Sequence, residues 1–216
     1  PEFNEFKEYV LELINNIKSG VGETVEPGTV YTYDNVDYTA GTGAEIFNAY
    51  ESGRNEAAGS FSHAEGLTNK ALSQCKNAEG TENIIISNNG HAEGQQHIVS
   101  GANGHAEGAQ NAVSAANGHA EGDNNTASGV SSHSEGEHTT ASGLASHAEG
   151  YNSTASGSYS HAENGSNAIG AYSHCEGWNN DSSNGAIGDY SHVEGYGNIC
   201  VAAKSHVEGN NNKIQD

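Results

Sequence analysis

The glutamates of this chain keep to a ruler. From Glu65 they recur at Glu79, Glu93, Glu107, Glu121, Glu135, Glu149, Glu163, Glu176, Glu194 and Glu208, fourteen residues apart except for one step of thirteen and one of eighteen. Self-similarity at a fixed short period is the mark of a solenoid, in which each copy buries its apolar face only against its neighbours. Each copy divides again: Ser146-His147-Ala148-Glu149-Gly150-Tyr151-Asn152 lies over Ser153-Thr154-Ala155-Ser156-Gly157-Ser158-Tyr159. Five residues of each half make a short strand, and a glycine with two variable residues makes a corner. One copy is then two strands and two turns, and stacked copies form a two-sided parallel β-roll. At about 4.8 Å per copy, the eleven copies span on the order of 50 Å. Phe47-Asn48-Ala49-Tyr50-Glu51, fourteen residues before Phe61-Ser62-His63-Ala64-Glu65, reads as a worn first copy.

The composition fits either a disordered chain or a thin, repeated core, and the regular repetition favours the core. Apolar residues are 33%, Met is absent and Gly is 29 of 216, so large aliphatics cannot fill a thick interior. The middle residue of each half is small and apolar instead: Ala64, Ala78, Ala92 and onward to Val207 in the first, Ala57, Ala71, Ile85 and onward to Cys200 in the second. Cys175 and Cys200 stand in these columns, and with Cys75 they make no metal or redox spacing; they read as small buried hydrophobes.

On either side of the middle residue, strand alternation points the side chains to the opposite face. There stand His63 and Glu65, His91 and Glu93, His105 and Glu107, His119 and Glu121, His133 and Glu135, His147 and Glu149, His161 and Glu163, His174 and Glu176, His192 and Glu194, and His206 and Glu208, with Asn77 the one break in the histidines. A solvated column varies, and this one does not. The constancy predicts that the face is enclosed, either inside the roll against the small Thr/Ser column of the second half or between subunits. Carboxylates about 4.8 Å apart repel by roughly 0.9 kcal/mol per neighbour in water, and hydrogen bonds from His and Thr/Ser are the available compensation. The ladder therefore reads as a structural polar network. If its imidazoles are charged in the fold, stability falls as their proton is lost. The same residue types are metal ligands, so a His/Glu metal array is an alternative; a run of equivalent sites is more simply a scaffold, and no cofactor or bound metal is expected. No copy stands out as a nucleophile or general base, and an enzyme is not expected.

Charge excludes whole classes of partner. The formal net charge is −21, and between residues 77 and 203 there is no Lys or Arg. Phosphate backbones and anionic lipid surfaces are bound by those cations, so neither nucleic acid nor direct membrane contact is expected. No apolar run approaches the roughly 20 residues of a membrane span, and no signal peptide is visible. Residues 1–3, Pro-Glu-Phe without an initiator Met, read as a vector scar. Within residues 1–20, Phe3, Phe6, Val10, Leu13 and Ile17 alternate steps of three and four, the spacing of a helix with a possible coiled-coil seam. Residues 21–45 connect it to the roll and carry a short hairpin, residues 29–33 against 36–39; the roll occupies 46–216.

Runs such as NTASGVSSHSEGEHTTASGLASHAEG, residues 125–150, resemble the YadA-type head repeats of trimeric autotransporter adhesins and the related repeats of bacteriophage tail-fibre and appendage proteins. The resemblance covers roughly residues 46–216 and implies a left-handed parallel β-roll that forms a homotrimer, lies outside the cell on a bacterial surface or a virion, and touches a host. Relatives often carry Val and Ile where this chain writes His and Glu.

In a repeat rod the interruptions and exposed corners are where recognition sits. The eighteen-residue copy and the aromatics beside it mark a candidate binding patch of Trp178, Asp181, Tyr190 and Tyr196, whose rings suit a host cell-surface glycan or protein receptor. The expectation is a non-enzymatic trimeric fibre or head segment for surface attachment. The alternative is a structural spacer whose binding or autoproteolytic domain lies outside this chain.

Overall fold

The computed structural model describes residues 55–74, 76–178 and 185–215 in full, together with the backbone pairing of four short strands ahead of them. The predicted helix, the Pro1–Phe3 scar, Cys75 and Asp181 lie outside the described residues. Within them the chain is all-β, a parallel solenoid of about eleven turns with no helix. The expected hairpin is there, Val30–Tyr33 antiparallel to Val36–Thr39.

The two halves of a turn are unequal. The first half forms a five-residue strand, such as His119–Asp123, in a sheet of 13 strands; the second forms only a two-residue strand, such as Thr126–Ala127, in a sheet of 12. The difference lies in the glycine, which sits inside the long strand and not at the corner. Gly122 has φ +107°, and a Cβ there would stand 2.1 Å from the Gly136 carbonyl oxygen of the next turn. No other residue fits that approach. The corners are made just beyond the strands by left-handed residues such as Asn124 at φ 56° and Ser131 at φ 58°.

Successive turns lie like on like. His119 pairs with His133, Ala120 with Ser134 and Glu121 with Glu135 across one strand spacing. The first strand of the stack departs from the sequence expectation: Glu45–Asn48 pairs with Glu45 over His63 and Phe47 over Glu65, an offset of eighteen residues and not fourteen. The short antiparallel strand Glu23–Thr24 covers that edge of the long sheet, which removes an open ladder of backbone donors and acceptors.

The core is the pair of small-residue columns, with Ala64, Ala92, Ala120 and Ala148 of one sheet and Ala57, Val99, Ala127 and Ala155 of the other at 0% exposure. A third buried column was not anticipated. Asn55, Asn69, Asn83, Asn111, Asn125 and Asn198 open the short strands and are at most 1% exposed. Each amide holds three strands together. Asn125 Nδ2 donates to the carbonyls of Glu121 at 2.6 Å and Gly136 at 2.7 Å, and its Oδ1 accepts from the Thr139 backbone N–H at 2.7 Å. His97 takes one place in this file with one donor and one acceptor: its Nε2 lies 3.0 Å from the Glu93 carbonyl, and its Nδ1 accepts from Asn111 N–H at 3.1 Å.

Core volume is conserved within each turn by a trade between two positions. Where the short-strand core residue is Ile85, Val99 or Val113, the residue five places on is Gly90, Gly104 or Gly118; where it is Ala127, Ala141 or Ala155, that residue is Ser132, Ser146 or Ser160. A Cβ on Gly118 would stand 2.9 Å from Val113 Cγ1, so the pair shares one space. Val113→Ala and Gly118→Ser are each expected to cost about 1–3 kcal/mol. The double variant, which writes the Ala127/Ser132 pattern one turn early, should cost less than the sum by about 1 kcal/mol or more. Urea denaturation of the four proteins measures it, and additive losses would refute the shared space.

Candidate functional site

Because alternation puts the alanines inward, the His and Glu files lie on the outer face of the long sheet. The inside placement considered above is excluded: the Ala, Val and Asn columns fill the interior, and the Thr126, Thr140 and Thr154 column faces outward from the other sheet. The glutamates are about half-exposed through the first half of the rod, 57% at Glu65 and 49% at Glu135, and more enclosed from Glu149 to Glu176, with 24% at Glu163.

The imidazoles stack on one another. Ring centroids from His91 to His206 are 4.6 to 4.8 Å apart, and the planes of His147 and His161 differ by 2°. From His63 to His174 each ladder Nε2 lies within 4.0 Å of a carboxylate, but only His63 reaches hydrogen-bond range, 3.4 Å from Glu65. Elsewhere the separation is 3.5 to 4.0 Å. The Nε2 atoms of His105, His119, His133, His147, His161, His174 and His192 are buried with no hydrogen-bond partner among the described residues. The expected hydrogen-bonded network is thus a set of close approaches. At the break, Asn77 Nδ2 does bond Glu79, at 2.6 Å.

Burial pushes the pKa of His119, His133, His147 and His192 below 6.5, with repulsion from the neighbouring imidazoles adding to it and the glutamates opposing it. Burial does the same to His97, deep in the amide column. The folded chain therefore favours neutral imidazole, the reverse of the charged-ladder alternative, and the pH dependence reverses with it. The unfolded chain binds these protons more tightly, so stability is complete above pH 6.5 and falls as pH drops toward the depressed folded values. The melting temperature should decline on acidification below pH 6.5, and His97→Asn, which restores the amide column, should shrink the decline. A melting temperature that rises on acidification would overturn this assignment.

Lys76 is a second group that the repeat pattern hid. It occupies a column otherwise filled by Ser or Gly, is 3% exposed, donates from Nζ to the Ile85 carbonyl at 2.6 Å, and burial lowers its pKa from 10.5 to about 7. Its charge is disfavoured in the fold, so stability should rise with pH between about 7 and 10.5. Lys76→Ser should abolish that rise and gain on the order of 2 kcal/mol at pH 6. Equal pH profiles for the two proteins would contradict the burial of the ammonium.

The aromatic patch divides between two corners. Trp178 and Tyr196 are register neighbours at the end of the long strand. Trp178 stacks on Tyr151 at 6.1 Å, closing over Gly165 of the thirteen-residue copy, whose added Cβ would lie 3.1 Å from the indole. Tyr190 stands on the other corner, in a stack with Tyr172 and Tyr159 at 4.9 Å spacing. All three of these tyrosines have φ of 57° to 59°, a conformation that Asn89, Asn103 and Asn117 fill in earlier turns. A bulky residue pays about 1 kcal/mol for the left-handed region, and such outliers gather at functional sites. Trp178, Tyr190 and Tyr172 are 54%, 57% and 51% exposed. The strands flanking the four-residue insertion end at Trp178 and resume at Gly185. Cys175 and Cys200 are buried free thiols in the core columns, as expected.

No family model matches the chain, and no curated protein is significantly similar to it. No described helix is long and apolar enough to cross a membrane.

Proposed function

We propose that the chain is a non-enzymatic fibre or head segment, a left-handed roll that associates as a homotrimer behind an N-terminal helix and attaches a bacterial surface or a virion to a host. The observation that carries this reading is the run of three exposed tyrosines at successive left-handed corners, a position that Asn89, Asn103, Asn117 and Ser131 fill in earlier turns and a lone aromatic, Phe61, fills near the start. A patterned recognition edge accounts for that cost, and the acidic surface, with a formal net charge of −21, steers it away from nucleic acid and anionic lipid. The half-exposed His/Glu face supports association of copies: one sheet face presents a continuous file of imidazole edges beside an acidic file, a flat and regular surface for a second copy. The resemblance to YadA-type head repeats points the same way.

A structural spacer is the second reading, favoured by the tyrosine rings covering one another's faces. The two separate in a glycan array and whole-cell binding screen, with oligomeric state and rod length measured by light scattering and X-ray scattering. An adhesive trimer should bind, and Tyr159→Ser/Tyr172→Ser/Tyr190→Ser should lower retention at least tenfold with an unchanged scattering profile. A monomer, or undiminished binding by the triple variant, would sink the attachment reading through this edge.

A further inference from the structure

The His/Glu face has a second property, independent of any partner. At its middle the carboxylates stand between rungs: Glu149 lies 3.8 Å from His147 Nε2 and 3.6 Å from His161 Nε2, and Glu163 lies 4.0 Å from His161 and 3.5 Å from His174. These separations are too long for hydrogen bonds. They exceed by only about 0.2–0.7 Å the roughly 3.3 Å between two ligands of one tetrahedral ion held at about 2.0–2.1 Å from each. The nitrogens concerned are buried without partners, so each points at an oxygen that it does not bond.

We infer that this file is a linear array of transition-metal sites, four formed by two successive histidines and the glutamate between them and a fifth by His192 with Glu176 and Glu194. The ligand atoms of His119, Glu121 and His133 lie within 4.8 Å of one another, as do those of His133, Glu135 and His147, of His147, Glu149 and His161, and of His161, Glu163 and His174; Glu176, His192 and Glu194 form a fifth group. Two imidazoles and one carboxylate select Zn2+, Ni2+ or Cu2+ over Mg2+ or Ca2+. Stacked rings aim their lone pairs side by side, so two rungs must tilt together by roughly 1 Å to share an ion. The rings are about one-third exposed and packed mainly on their own kind, which leaves that motion open.

The array has an arithmetic. A nitrogen binds one ion, so groups sharing a histidine exclude each other. Of the first four groups at most two, sharing no histidine, fill together, and with the fifth the face holds three ions per chain. His161→Asn removes two adjacent groups, and the two that remain share His133, so one ion is lost. His147→Asn also removes two groups, but the two that remain share nothing, so none is lost. Asn77 occupies the same position in one turn and bonds its own glutamate, so both variants have a precedent in the native fold.

The test is equilibrium dialysis of the folded protein and the two variants against Zn2+ with excess Mg2+, read by elemental analysis, with circular dichroism confirming each fold. The expected result is one fewer zinc per chain in His161→Asn than in the parent and equal zinc in His147→Asn. Equal losses in the two variants, no loss in either, or no zinc retained by the parent would overturn the array.

Discussion

Every side chain in this rod has the residue of the same repeat position as its neighbour one strand spacing above and below, most often one of its own kind, and the rest of the structure follows from that. Parallel register makes the rule unavoidable, as His119 over His133 and Glu121 over Glu135 show. A residue type is therefore selected by how it interacts with itself. Alanine and valine pack in files. Asparagine gains most, because an amide both donates and accepts, so Asn111 can accept from the backbone of Asn125 while its own Nδ2 bonds Glu107 and Gly122. Glutamate gains least, since like charges repel wherever they stack. The long sheet keeps its glutamates on the outer face, where water screens that repulsion.

The same rule explains which parts of the fold could be read from sequence. The period of fourteen and the Ala/Val columns were legible because side-chain identity maps directly onto register, and residues such as Ala120 and Val99 are buried as the pattern required. The orientation of the histidines was legible only to the level of opposite faces. Constancy suggested enclosure, but a column can be constant because each copy faces the same neighbour on an open surface. The inequality of the two strands was hidden because the glycine was read as a corner; its role depends on the approach of Gly136 to Gly122, a tertiary fact. The asparagine file stands in plain view at fourteen-residue spacing, but asparagine in a sequence rich in Gly and Ser suggests turns before it suggests a buried column. The eighteen-residue offset of Glu45–Asn48 could not be read, since a worn copy fits two registers by sequence alone.

The exchange of Val113/Gly118 for Ala127/Ser132 shows that uniformity along the rod is of volume and not of identity. A long file tolerates substitution when a second position in the same turn gives back the space. Lys76 tests that tolerance, since its ammonium sits where Ser or Gly otherwise stands and finds one carbonyl, that of Ile85, as its acceptor. His97 meets the requirement more fully, offering the donor and acceptor that an asparagine would. Polar substitution in this interior is thus governed by hydrogen-bond capacity and only then by size.

Corners differ from columns because a corner side chain has solvent on one side and faces no demand from the core. A residue that recurs there against the preference of its backbone needs a reason outside the packing. Asparagine at φ near 56° needs none. Tyrosine does, and Tyr159, Tyr172 and Tyr190 follow one another on a single edge across the turns that also carry the thirteen- and eighteen-residue interruptions. Ring stacking at 4.9 Å returns part of the cost, yet stacking alone would serve equally well at any level of the rod. The stack, unlike the lone Phe61 at the same corner of an early turn, is confined to the turns around the thirteen- and eighteen-residue copies, which sets the aromatic edge in the C-terminal half of the rod together with Trp178.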